Sequence, residues 1–275
     1  MNIGKVVRMN RIFSHKSGRL FSVAVDHFSG YSLGLPDSLQ QMRSTLSKVV
    51  EGLPDAVTMH IGVAMNAWSP FASKIPFILQ STLARPDDSQ YELLASPEDA
   101  VRLGADGFAI ATYVRGPTEG KYLRLLSEQV RQASRFDIPV ICHIYPRTFS
   151  KQEVAISFEP EDIAWAVHCA FECGADVVKV PYCGDLPAYR EIVASCPVPV
   201  VAAGGPKHET ILSALRMMHD VVASGARGAT VGRNIWGFAE IPKLISAFKF
   251  VVHDDIEPEA AIAKAGISKS LSPGG

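Results

Sequence analysis

Lys179 is the one ionisable side chain in the apolar run Val177-Val178-Lys179-Val180. Successive side chains of a strand point to opposite faces, so Lys179 points away from Val178 and Val180, into whatever interior the strand lines. An ammonium there sheds hydration and its pKa falls, and a lysine that is neutral near pH 7 is a nucleophile towards carbonyls. A lysine with a buried stem and an amine reaching water or a carboxylate fits the same four residues. Tyr145 lies two residues beyond His143, so both face one side of their strand. Its hydroxyl, within reach of a carbonyl carbon held by Lys179, can pass protons to and from the departing oxygen; capping the core with a wet hydroxyl is the alternative. Asp26 can orient a substrate hydroxyl or pair with the lysine, or cap a helix or turn. Gly204-Gly205 and Gly232-Arg233 offer bare backbone N–H groups beside a helix start, and Arg233 adds a bidentate charge; together they could cradle a phosphate.

Residues so scattered need a frame that gathers strand ends. Strand candidates run over 20–25, 56–59, 75–79, 108–111, 139–144, 177–180, 198–202 and 228–231. Helices are expected over 36–51, 97–103, 118–135, 160–173, 185–195, 208–224 and from Gly237 to about Phe250, with a weakly patterned helix at 61–73. Three phrases repeat at the junctions: Gly104-Ala105-Asp106, Gly174-Ala175-Asp176 and Gly225-Ala226-Arg227, each a glycine that ends a helix and feeds a strand. Eight strands, each followed by a helix or a helix-sized segment, make an α/β chain of the single (β/α)8 TIM-barrel type over residues 20–267. An open doubly wound sheet is the alternative; no G-x-G-x-x-G follows the first strand, and polar residues recur at many strand ends, which favours the barrel. In a barrel those ends build the site, and phosphate commonly sits after the seventh and eighth strands, where Gly204-Gly205 and Gly232-Arg233 fall. Residues 1–19 form a basic segment, and 268–275 read as a disordered tail.

Composition sets bounds. The chain has 275 residues, 47% hydrophobic and 20% charged, with a formal net charge of -1. Such a balance gives no reason to expect nucleic acid or membrane as a partner, and the apolar runs fall far short of the ~20 residues a span needs. Lys5, Arg8, Arg11, Lys16 and Arg19 enclose no apolar core, which argues against a secretory signal. Five cysteines without a C-x-x-C pair argue against a disulfide framework or zinc knuckle, so the cytoplasm is the expected compartment.

The strand-end phrases carry a family likeness. Asp26-His27, Tyr145-Pro146-Arg147, the Lys179 strand with Gly184-Asp185, Gly204-Gly205-Pro206-Lys207 and Gly232-Arg233-Asn234 resemble the archaeal-type class I fructose-bisphosphate aldolases. Relatives of these include aminodideoxyheptulosonate synthases and autoinducer-2 phosphate thiolases. Arg85-Pro86-Asp87-Asp88 and Ser96-Pro97-Glu98-Asp99-Ala100 extend the resemblance, which covers about residues 20 to 245. It implies that Lys179 is the Schiff-base lysine, Tyr145 the acid/base group and Asp26 the acid at the first strand. It also implies that Gly204, Gly205, Gly232 and Arg233 bind phosphate, with His27 and Arg147 as further substrate contacts, and that the enzyme is a homo-oligomer. The chain departs from the family at Phe28, where glycine is usual, and at Pro181, where lysine is frequent; both positions fall at the substrate end.

The expected activity is therefore metal-independent, cofactor-free aldol cleavage or formation on a phosphorylated ketose or related keto-phosphate, through a covalent imine. Three other readings stand beside it. Lysine-imine acyl transfer on a phosphorylated diketone would use the same scaffold. A metal-dependent lyase would use His27, His60 and His143, although no ligand spacing is fixed. A non-catalytic phosphate-binding barrel would require an inert Lys179.

Overall fold

The computed structural model describes residues 2–27, 36–150 and 153–267. The barrel strands are β1 (Leu20–Ala24), β2 (Ala56–His60), β3 (Phe77–Gln80), β4 (Gly107–Val114), β5 (Val140–Phe149), β6 (Val177–Val180), β7 (Val200–Ala203) and β8 (Gly228–Val231). All pair in parallel with their neighbours, β1 also with β8 and β4 with β5, so the sheet closes into the expected barrel. Helices fill the connections, with Pro160–Glu172 ahead of β6 and Leu186–Ser195 behind it.

Strand parity decides what each side chain meets. Leu20, Ala56, Ile78, Ala109, Ile141, Val177 and Val201 face inwards and form one apolar layer at the bottom of the barrel. Strand residues of the opposite parity, including Val178 and Val180, face outwards and pack in the main core with the helices. The next inward layer towards the C-terminal ends is polar, with Ser22, Thr58, Gln80, His143, Lys179 and Thr230 all buried. Glycines in the left-handed region end the helices before β4, β6 and β8, at Gly104, Gly174 and Gly225, as the repeated phrase predicts. Ser96 and Asp99 form a complete capping box at the start of the helix Pro97–Arg102.

Five regions differ from expectation. The basic N-terminal segment is not only a surface strip: Ile3–Ile12 is a helix, α1, whose Ile12 plugs the bottom layer of the barrel. Lys5 pairs with Asp176 at 3.0 Å, Arg11 with Asp106 at 3.2 Å, and Arg8 donates to the carbonyl of Asp137, so its charges clamp it to the barrel's lower rim. The polar loop around Arg85–Asp88 is the turn of a hairpin between Thr82–Ala84 and Tyr91–Leu93. Strand β5 outruns the barrel and pairs antiparallel with Val154–Ile156. The expected helix over 36–51 breaks at Gln41 into Asp37–Gln40 and Met42–Glu51. The final helix runs Ile241–Asp254, and a further one, Pro258–Lys264, follows it. The tail at 268–275 and Phe28 lie outside the described residues. Among the described residues, no helix is long and apolar enough to cross a membrane.

Candidate active site

β6 brings Lys179 to the floor of a cleft of about 340 Å³ at the C-terminal end of the barrel. Only 4% of Lys179 is exposed, and burial pulls its pKa from 10.5 down to about 8. Asp26 pushes the other way, and the charge of Arg233 adds to the fall. At pH 7 such an amine is free roughly a tenth of the time, against about three parts in ten thousand for an unperturbed lysine.

Beside it lies a network the sequence only half disclosed. Asp26 and His27, just past β1, are both buried, with His27 Nδ1 3.2 Å from Asp26 Oδ1. Burial opposes ionisation of Asp26, but the hydrogen bond from His27 and the positive field of Lys179 hold its carboxyl far below the usual range. Burial keeps His27 neutral, with Asp26 working against it. Gln80, the last residue of β3, is the residue that sequence reasoning missed, because the strand reads as ending at Leu79. Its Nε2 donates to Asp26 Oδ2 and contacts His143 Nδ1, both at 3.2 Å, while its Oε1 accepts from the Ser81 N–H. Ser81 thereby sets the amide's orientation, so the acceptor at His143 is Nδ1 and its proton sits on Nε2. His143 stands opposite Lys179 in the β5–β6 register, and burial with the nearby lysine holds its pKa well below 6.5.

Tyr145, two residues above His143, lines the cleft, as expected from parity. Gly204, Gly205, Gly232 and Arg233 line it too, so the two loops after β7 and β8 do meet. Asn234, almost fully buried, staples them: its Nδ2 donates to the carbonyls of Gly204 and Pro206, and its Oδ1 accepts from the His208 N–H. Arg233 donates to the carbonyl of Gly205 at 3.0 Å. Gly232 must be glycine, because a Cβ there would lie 2.3 Å from the His27 ring.

Arg147 needs correction. It was expected to contact substrate, but its side chain is wholly buried behind the cleft wall. Its guanidinium donates to the carbonyls of Pro86 and Arg115, to Thr118 and to Asp88, each at 2.9 Å, and lies 5.5 Å from the Tyr113 ring centre. It ties the hairpin after β3 to β4 and β5, a structural task. The three histidines weighed as metal ligands are separately engaged: His27 with Asp26, His143 with the Gln80 amide, His60 with the Gln80 carbonyl at 3.1 Å.

Residues 15–237 match the DeoC/LacD family aldolase. A 2-amino-3,7-dideoxy-D-threo-hept-6-ulosonate synthase of Halobacterium salinarum is 32% identical over 269 residues, 96% of this chain and 97% of its own. A 2-amino-4,5-dihydroxy-6-oxo-7-(phosphonooxy)heptanoate synthase of Streptomyces griseus is 28% identical, covering 94% of each chain. Among solved structures, an archaeal fructose-1,6-bisphosphate aldolase with its catalytic lysine bound to the carbinolamine intermediate is similar at a TM-score of 0.80 and 27% identity. That likeness covers 90% of this chain and 99% of the other. The family match takes in every barrel strand and both glycine loops, and the chain belongs to the DeoC/LacD family of aldolases.

Proposed function

We propose that Lys179 forms an imine with a phosphorylated keto compound and that the chain is a class I aldolase. The observation that carries this is a nearly buried amine, its pKa drawn to about 8, on the floor of a cleft rimmed by two glycine loops and Arg233. Nζ adds to the ketone carbon, and loss of water from the carbinolamine leaves a protonated imine. A base then takes the proton of the hydroxyl on the carbon beyond the scissile bond. That bond breaks, the oxygen's electrons form the new aldehyde carbonyl, and the bond's own electron pair passes into the iminium to give an enamine. Protonation of the enamine and hydrolysis release the ketone fragment and restore the amine. Tyr145, on the same cleft wall, is our candidate for the proton transfers. Asp26 stays anionic and faces the cation that persists from ammonium to iminium.

The glycine loops and Arg233 would hold the phosphate at the β7–β8 side. Relatives whose names include a phosphate, such as the Streptomyces griseus synthase and the fructose-bisphosphate aldolases, support that reading. The iminium is itself the electron sink, so we propose that no metal or cofactor takes part. All five cysteines are free, which fits a reducing cytoplasm.

Borohydride reduction in the presence of a keto-phosphate tests the assignment. The mass of the ketone less one water, plus the two added hydrogens, should appear on Lys179 by peptide mapping. Labelling at Lys207 or Lys121 instead would overturn it.

A further inference from the structure

We propose that the aldehyde fragment this site releases or accepts is uncharged and apolar at its far end, because the cleft has one anion-binding half and one apolar half on opposite sides of Lys179. The inference rests on the Schiff-base reading above.

Strand order separates the halves. β6, with Lys179, lies between β5 and β7. On the β7–β8 side stand the glycine loops and Arg233. On the β5–β4 side the wall is Tyr113, Ala155, Ile156 and Phe158, with Tyr145 nearest Lys179, completed by Pro86 and Pro181. Among the described residues, no Asp, Glu, Lys, Arg or His lines this half. The backbone is ill suited to anions here too, since prolines have no N–H to donate, whereas the opposite half is built of glycines. Arg147 lies behind Tyr113, both its Nη groups committed, to two carbonyls, Thr118 and Asp88. Phe158 is 42% exposed, apolar surface open to whatever enters the cleft.

A substrate fixed at its phosphate by the glycine loops and at its ketone by Lys179 extends its remaining carbons along this apolar wall. The carbon that keeps its oxygen when the bond breaks leaves as the aldehyde, and its substituent is what the wall touches. A phosphate or carboxylate there would give up hydration for a surface on which no described residue offers a charged partner. An alkyl substituent would gain from covering Phe158 and Ile156.

The test is a panel of 1-phosphorylated 2-ketones bearing hydroxyls at carbons 3 and 4. Its members differ only in the substituent on carbon 4: methyl, ethyl, isopropyl, hydroxymethyl, phosphorylated hydroxyethyl or carboxyethyl. The expected result is a kcat/KM for cleavage at least tenfold higher for the alkyl members than for the anionic ones, rising about two- to fourfold per added methylene. Ile156→Lys should move the ratio at least tenfold towards the phosphorylated member. Equal or better turnover of an anionic member by the unaltered protein would overturn the proposal. Should no member be trapped at Lys179 by borohydride, the Schiff-base reading fails. Calorimetric Kd values for the same panel then decide the inference by themselves: tighter alkyl members sustain it, tighter anionic members refute it.

Discussion

Removing the charge of Asp26 should raise the reactivity of Lys179 while lowering turnover. The Lys179 ammonium is destabilised by burial and by Arg233, and Asp26 returns part of that loss. Asp26→Asn deletes the returning influence and leaves the other two in place. A full opposite charge at close range in a protein site shifts its partner by about one to three pH units, so a pKa of about 8 should drop to roughly 5 to 7. The free-amine share at pH 7 would rise from roughly a tenth to between about half and nearly all. Labelling of Lys179 by a small neutral electrophile, followed across pH by peptide mapping, reads that share directly in the free enzyme. At pH 7 the labelling rate should rise about five- to tenfold, less the drop in nucleophilicity of a weaker base. Arg233→Ala should do the reverse and carry the labelling limb above pH 8, because it removes a charge that disfavours the ammonium. The opposite signs protect the test from a general loosening of the site, which would move both variants alike. A limb that stays put or moves to higher pH in Asp26→Asn would show that Asp26 does not act on the amine, and the electrostatic account would fall.

Three further outcomes follow from the same geometry. Because the folded pKa of Lys179 lies below the unfolded value, the unfolded chain holds more protons between about pH 8 and 10.5. This group therefore costs about 3 kcal/mol below pH 8 and costs less as pH rises; Lys179→Met should be more stable by about 2–3 kcal/mol at pH 7, with a denaturation gap that narrows from about pH 8 and closes near pH 10.5. Tyr145→Phe should cut turnover roughly a hundredfold while borohydride still traps the imine; normal turnover would hand the proton transfer to another group. Arg147→Met should lower stability by about 2–4 kcal/mol and leave the KM for phosphorylated substrates within about twofold, and a raised KM in a stable protein would return Arg147 to the binding site.

Residues whose neighbours along the chain explain them were legible, and residues whose neighbours lie across the fold were not. Val177, Val178 and Val180 announce a buried strand by themselves, and parity alone turns Lys179 inward, where the structure has it. Glycine after a helix and proline at its first turn are likewise local signals, so the helix limits came within a few residues. Arg147 shares parity with Tyr145 but stands where β5 has left the barrel, and there the acid of the neighbouring hairpin, Asp88, decides its partner. Nothing in the order of residues couples Arg147 to a turn fifty-nine positions earlier. The charges of α1 were visible, but not the three acceptors on the barrel rim that hold it. Asn234 stood inside a quoted motif, yet its work of joining two loops follows only from their meeting in space.

Gln80 shows why the omission matters for the chemistry. A lysine buried without help can fall to a pKa of about 5 to 6, where it is free at neutral pH but a poor base. Lys179 settles near 8 because one anion, and not more than one cation of the interior, faces it. The Gln80 amide supports both conditions: its Nε2 keeps Asp26 hydrogen-bonded in the charged form and presents a donor to His143 Nδ1, which therefore remains unprotonated. A donor at that nitrogen excludes imidazolium, so the residue opposite Lys179 in the register adds no second positive charge. The balance survives the reaction, since the protonated imine carries the same charge as the ammonium it replaces. Asp26 faces one positive charge before and after the covalent bond forms, and because the protons Lys179 gives up leave with the ketone oxygen as water, no other buried group has to change its net charge to accommodate the intermediate.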